Sequence, residues 1–326
     1  MWLKRILSVM LLPALLPCVT AAVAQAPGTP APDQAPTTVE MAVQRVSEHV
    51  YYVEGLPGAA TENEGFVSNA GFIVTGAGVV VFDALGTPVL GERLLEKIRN
   101  VTDQPVVRVI VSHYHADHIY GLQVFEALDA EILAPAAAED YLVSDSARER
   151  LEERQFTLDP WVNENTRLVY PDRYLDEGTR FQLGDVEFIV TMIGAAHSEG
   201  DLTLYVAPDR VLFSGDVIFE GRVPFVGDSN TKHWLKVLER MEKEKLVALV
   251  PGHGGVASNP GEAVALTRRY LAYLRESMAA AVEEFMPFDE AYAAVDWSEF
   301  AELPAFAEAN RRNAYQVYLS LEAEML

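Results

Sequence analysis

His113-Tyr114-His115-Ala116-Asp117-His118 follows the apolar stretch Val106 to Ser112 and contains three of the chain's seven histidines. Side chains alternate along an extended backbone, so a strand ending in His-x-His directs both imidazoles to one side. The turn after it adds a carboxylate and a third imidazole. Neutral imidazole and carboxylate are the donors that zinc and related borderline metals take where an exchangeable water must remain. The stretch therefore predicts a metal site at the end of a strand.

Three further donors stand at isolated positions. His197 lies in Gly194-Ala195-Ala196-His197-Ser198-Glu199-Gly200-Asp201, after an expected strand. Asp216 ends the apolar run Val211-Leu212-Phe213 through Ser214-Gly215, and His253 lies in Val250-Pro251-Gly252-His253-Gly254-Gly255. Small residues flank each one, which lets the backbone turn tightly and a ligand side chain face a cleft. Strand signals lie at Val50 to Val53, Gly71 to Thr75, Val79 to Phe82, Val106 to Val111, Phe181 to Val190, Leu202 to Val206 and Val247 to Val250. Between them run helical patterns: Leu90, Leu94 and Ile98; Leu235, Leu238 and Met241; and Val264, Leu271, Leu274, Met278, Val282 and Phe285. Strands alternating with helices in a chain of this length suit two sheets packed between helices.

His-x-His-x-Asp-His, a later single His, an Asp in Ser-Gly-Asp and a final Gly-His-Gly together resemble the metallo-β-lactamase superfamily over roughly Val43 to Ser258. The resemblance implies an α/β (α+β) fold, a four-layer αββα sandwich with the metal site at one edge of the sheets. It also implies two zinc ions: one held by His113, His115 and His197, the other by Asp117, His118 and His253, with Asp216 and a hydroxide bridging them. Paired metals divide the chemistry, one ionising the attacking water and the other polarising a substrate carbonyl or stabilising the leaving group. Asp117 is the expected catalytic group, orienting that nucleophile by a hydrogen bond. Tyr114, Tyr120 and Arg222 are candidates for substrate contact, and Asp83, at the end of Val79-Val80-Val81-Phe82, for support behind the ligands. The segment Gly55 to Asn69 is a candidate cover over the site. His49 and His233 have no motif context and read as ordinary histidines.

Asp216 stands where the common zinc β-lactamases carry a cysteine, and Phe219 where those enzymes often carry a lysine. A bridging Asp is instead similar to glyoxalase II thioesterases, lactonases and exported hydrolases resembling SoxH and the quinoprotein relay hydrolases. Gly221-Arg222-Val223-Pro224-Phe225-Val226-Gly227-Asp228 looks most like that exported group. The expected reaction is hydrolysis of a small-molecule ester, thioester, lactone or lactam. The alternatives are a class B-like β-lactamase, an enzyme resembling the mononuclear iron sulfur dioxygenases, with iron or a mixed metal, and a noncatalytic metal-binding partner protein. A complete second ligand set argues against a single iron, and the His-x-Glu-x-Asp pattern of flavodiiron proteins is absent.

Met1-Trp2-Leu3-Lys4-Arg5, the apolar run Ile6 to Val19 and Ala22-Val23-Ala24 read as a secretory signal over 1–24, so a periplasmic or secreted enzyme is expected. Its apolar core is short for a span of about 20 residues, and no stable membrane insertion is expected after cleavage. Residues 25–40, with Pro27, Pro30, Pro32 and Pro36, read as a flexible linker, 41–258 as the catalytic domain and 259–326 as a helical extension packed on it. Cys18 is the only cysteine, so neither a disulfide framework nor a thiol nucleophile is available to a processed chain. A formal charge of -23 repels a phosphate backbone, which sets aside nucleic-acid substrates. The oligomeric state is left open.

Overall fold

The computed structural model describes residues 35–227, 229–241 and 245–325. The expected secretory signal, Cys18, the linker before residue 35 and Asp228 lie outside the described residues. Among those described, no helix is long and apolar enough to cross a membrane.

One sheet has seven strands in sequential order: β1 (Val43–Arg45), β2 (Val50–Val53), β3 (Ala70–Thr75), β4 (Gly78–Phe82), β5 (Val106–Ile110), β6 (Glu131–Pro135) and β7 (Arg173–Leu175). It is antiparallel from β1 to β4 and parallel from β4 to β7. The other contains β8 (Thr179–Leu183), β9 (Val186–Gly194), β10 (Asp201–Val206), β11 (Val211–Gly215) and β12 (Ala248–Pro251), ordered β12-β11-β10-β9-β8. It too is antiparallel until its last pair, β11 with β12, which is parallel.

Residue alternation along the strands builds the layers. Val80 and Phe82 enter a core shared with Phe188, Leu204 and Phe213 of the second sheet, while Val79 and Val81 face the opposite way. Those outward residues pack under α1 (Pro88–Val101), α2 (Ala116–Ile119), α3 (Leu122–Glu126), α4 (Ala137–Leu142) and α5 (Asp145–Thr157). The outer face of the second sheet, with Leu212 and Leu249, lies under α6 (Thr231–Met241), α7 (Pro260–Glu283), α8 (Phe288–Ala294) and α9 (Phe306–Glu324). The expected αββα sandwich is present, with a C-terminal helical region.

Several local expectations change. Phe181 to Val190 is a hairpin rather than one strand, because Gly184 takes φ 58° and reverses the chain between β8 and β9. The short strands β1, β6 and β7 carried too little apolar pattern to be read. On α1, Thr87 Oγ1 accepts from Leu90 N at 3.2 Å, and Leu90, Leu94 and Ile98 are buried as expected. On α6 the buried face is Trp234, Val237 and Leu238, with Leu235 and Met241 half-buried. On α7, Val264 to Val282 follow the expected face. Phe285 does not: it lies past the helix end in the left-handed region and is 84% exposed. Residues 37 and 38 of the expected linker are fastened, since both threonine hydroxyls and Thr38 N donate to the Glu64 carboxylate.

Candidate metal centre

The donors leave the carboxyl ends of four strands, with Asp83 behind them at the end of a fifth. His113 follows β5, His197 follows β9, Asp216 follows β11 and His253 follows β12, while Asp83 follows β4. The one-turn helix α2, with His115 at its N-cap, carries Asp117 and His118. Strand ends at one edge of two facing sheets bring residues 140 positions apart into one cleft.

Two triads result. His113 Nε2 and His197 Nε2 each lie 3.0 Å from His115 Nδ1. In the second, Asp117 Oδ2 lies 3.2 Å from His253 Nε2 and 3.5 Å from His118 Nε2. Asp216 stands between them. Its Oδ2 is 3.4 Å from His197 Nε2 and 3.3 Å from His253 Nε2, and its Oδ1 is 3.4 Å from His118 Nε2. Within each triad the donor atoms are no more than 4.8 Å apart, close enough to hold a metal ion. His118 Nε2 and Asp216 Oδ1 are buried without any hydrogen-bond partner. An orphaned lone pair there is costly in protein alone and is satisfied by a cation.

The outer partners fix the ring tautomers. His197 Nδ1 donates to Phe225 O at 3.0 Å, and His253 Nδ1 to Val67 O at 2.7 Å. His118 Nδ1 donates to Asp83 Oδ2 at 2.9 Å. Ser112 Oγ donates to the same carboxylate and accepts from His113 Nδ1 at 2.9 Å. The Nε2 atom of each of these four histidines is thereby left facing the cleft. Asp83 is the support expected of it: buried, at φ 61°, and bound also by Ser112 N at 2.7 Å. A non-glycine residue in that region persists only where its surroundings hold it.

Burial holds His197 down to about 3 and His113 well below its usual value, so both are neutral donors. In the second triad burial also opposes charge. There the carboxylates outweigh it: Asp117, Asp83 and Asp216 push His118 up to about 10, and Asp216 and Asp117 push His253 up to about 9. Despite burial, the neighbouring histidines hold Asp117 and Asp216 below the usual carboxylate range. Gly252 is required by contact alone, because a Cβ there would come within 1.9 Å of Asp216 Oδ1.

Some expected contacts are absent. Tyr114 is buried with its hydroxyl donating to Val169 O at 2.9 Å. Tyr120 is 1% exposed inside the first helical layer. Neither can reach a substrate in this arrangement. Gly55 to Asn69, expected to be a cover, is tied to the ligands: besides Val67 O, Ser68 Oγ donates to Asp117 O, and Asn69 Nδ2 donates to Pro251 O and Gly254 O at 2.8 Å. His49 pairs with Asp209 at 2.8 Å, and His233 Nδ1 donates to Ala195 O at 2.8 Å, both outside the triads. Arg222 does lie near the centre. It is 8% exposed, its Nε has no partner, and the charges of Asp216 and Asp117 act on it.

Other supporting residues escaped the sequence reading. Asp201 accepts from Ala196 N at 3.2 Å and Ser198 Oγ at 2.6 Å, closing the loop that presents His197. Burial pushes its carboxyl up to about 7 against those hydrogen bonds. The signal was its place at the end of His-Ser-Glu-Gly-Asp. Trp234 packs edge-on to His197 at 5.5 Å, and Phe219 stacks on His253 at 5.7 Å. No sequence signal marked Trp234, and Phe219 stood out only for occupying a position where related enzymes often carry a lysine.

The metallo-beta-lactamase superfamily model matches residues 63–253, more than half of the chain and nearly all of both triads' surroundings. The metallo-beta-lactamase IND-1 of Chryseobacterium indologenes is 22% identical over 210 residues, covering 63% of this chain and 77% of that protein. The acyl-coenzyme A thioesterase MBLAC2 of Gallus gallus is 30% identical over 157 residues, 44% of this chain and 55% of the thioesterase. Among solved structures, a metallo-beta-lactamase from Pontibacter korlensis superposes with a TM-score of 0.59 at 19% identity, over 72% of this chain and 99% of that one. The inverting sec-alkylsulfatase Pisa1 from Pseudomonas sp. gives 0.67 at 18% identity, over 86% of this chain and half of that one. With the donor pattern, the two-sheet sandwich and this match in agreement, the chain belongs to the metallo-beta-lactamase superfamily, whose members are metal-dependent hydrolases.

Proposed function

We propose that this protein is an exported dinuclear zinc hydrolase of small carbonyl substrates, with ester or thioester cleavage favoured over β-lactam cleavage. The observation that carries the reading is Asp216, whose carboxylate lies within 3.4 Å of His197 in one triad and of His118 and His253 in the other. His113, His115 and His197 would hold one ion and Asp117, His118 and His253 the other, with Asp216 shared. When bound, such a pair supplies a water ionised near neutral pH and a positive centre that polarises a carbonyl. The two carboxylates, kept ionised, offset part of the charge of two divalent ions.

Asp117 is the catalytic residue in this reading. Its side chain is 26% exposed against 4% for Asp216, so it can orient the attacking water and pass a proton while Asp216 stays enclosed. Arg222 would receive an acidic group of the substrate, because a buried guanidinium whose Nε has no hydrogen-bond partner is stabilised by an arriving anion. The thioesterase and lactamase names among the relatives fit acyl transfer to water. The absence of any thiol at the second triad favours the thioesterase side. Export is proposed from Lys4, Arg5 and the apolar run that follows them.

Metal analysis by mass spectrometry on protein exported to the periplasm and purified without chelator should find near two zinc per chain. Release of product from a panel of esters, thioesters, lactones and β-lactams should then depend on that zinc. Near one iron per chain, or two zinc with no hydrolysis of any member of the panel, would overturn the reading.

A further inference from the structure

The family match ends at His253, yet α7, α8 and α9 reach back to the metal centre. Asn313 on α9 is 1% exposed. Its Oδ1 accepts from Val226 N at 2.9 Å and its Nδ2 donates to Pro224 O at 2.7 Å, so one amide grips the backbone on both sides of Phe225. The carbonyl of Phe225 is the one that takes the Nδ1 proton of His197. A second tie is Val223 N, which donates to Pro304 O at 3.0 Å in the turn before α9.

Behind Asn313 the polar chain continues. Its Nδ2 also donates to Tyr270 Oη on α7 at 3.0 Å, Tyr270 donates to Asn310 Oδ1 at 2.9 Å, and Asn310 Nδ2 donates to Tyr292 Oη on α8 at 3.0 Å. Apolar side chains would pack three helices together without the desolvation that buried amides require. A satisfied buried network instead specifies one geometry, and this one ends at a loop without regular structure whose carbonyl orients a donor of the first triad.

We infer that Asn313 is a positioning residue of the metal centre: through Pro224 to Val226 it fixes the carbonyl that aims His197, and the C-terminal helices thereby set the metal affinity of the first triad. The inference rests on the triads being metal subsites. Outer partners of metal-bound histidines typically change affinity by about 10–100-fold, and Asn313 acts one step further out, so the lower end applies.

The test uses the full chain, with zinc titrated against a chromophoric chelator and the visible spectrum of the cobalt(II)-loaded protein as a second readout. Asn313→Ala should weaken one of two zinc ions about tenfold and shift the cobalt bands, leaving the other ion within about twofold. Asn310→Ala, in the same network but not touching the loop, should lower thermal stability with both affinities within about twofold. In a His197→Ala background the Asn313→Ala effect should vanish, as a double-mutant cycle requires of a coupled pair. Should Asn313→Ala not fold, Asn313→Asp keeps the acceptor for Val226 N and sets an oxygen against Pro224 O where the donor stood, and the same ion should weaken. Equal loss of metal in Asn313→Ala and Asn310→Ala, or unchanged affinities in Asn313→Ala or Asn313→Asp, would overturn the inference. Wild-type protein that binds no zinc would instead overturn the metal reading beneath it.

Discussion

The two triads share a carboxylate but differ in how they wait for a metal. His113 and His197 are kept neutral by burial, so their lone pairs are available throughout the neutral range. His118 and His253 sit among Asp83, Asp117 and Asp216 and keep protons up to about 10 and about 9. The first triad is built for donors without charge and the second for charge that a proton or a cation can satisfy. The outer partners match the division, because His118 lies beside Asp117 on the short helix α2 and pairs through Nδ1 with the Asp83 carboxylate, whereas His113 Nδ1 meets only the Ser112 hydroxyl.

The largest expected effect comes from removing what the triads share. Asp216→Ala should lower metal content below two ions and reduce hydrolysis by more than about 100-fold, beyond the range of outer-partner losses. Gly252→Ala should act in the same direction by displacing that carboxylate, with the fold retained by circular dichroism. Two tightly held ions in Asp216→Ala would break the picture of a shared ligand.

Asp83→Ala tests how far the support of one triad serves the other. It frees His118 Nδ1 directly and Ser112 behind His113, so the second-triad ion should weaken about 10–100-fold and the first less. Equal losses, measured by competition with a chelator, would mean that the triads are not separately supported.

Protons provide a third comparison. Metal entering the second triad must displace those on His118 and His253, so its affinity should rise with pH by about tenfold per unit for each proton released, levelling off above about 9 to 10. Affinity at the first triad should stay nearly flat near neutrality. In metal-free protein the sign is opposite. Folded-state values above the ordinary 6.5 give stability that is full below pH 6.5 and lost as pH rises through 9 and 10. Isothermal titration in buffers of different ionisation enthalpy counts the protons, and none released on loading the second ion would refute the assignment.

The smallest effect should come from Trp234→Phe. It keeps a ring beside His197 but loses the bond from Nε1 to Val217 O at 2.8 Å, for about 1 kcal/mol and a fall in melting temperature of about 2–4 °C, with metal affinity little changed. A large loss at the first triad alone would show that the indole itself orients His197.

The donors were legible because ligand chemistry restricts residue type: imidazole and carboxylate at strand ends leave few alternatives. Their outer partners were half legible. Asp83 could be suspected from its position, whereas Val67 O and Phe225 O are backbone carbonyls that any residue supplies, so no side chain announces them. Tyr114 follows from the same alternation that places the ligands: with His113 and His115 on one side, the residue between them faces the other, and Tyr114 does. Phe181 to Val190 misled because the hairpin's two strands, β8 and β9, are joined by a turn of only two residues, Gly184 and Asp185. Asn313 lay beyond reach, since its meaning depends on a loop nearly ninety positions earlier.

The clustering of donors along the chain has a thermodynamic consequence. Four of the seven lie between His113 and His118, and the others wait at 197, 216 and 253. An unfolded chain therefore already offers metal a local, weak foothold, and affinity for the unfolded state subtracts from the stability that a ligand gives the native one. Added zinc should raise the melting temperature by less than its native affinity implies. Replacing His115 and His118 together in the denatured chain would remove that foothold before any sheet has formed.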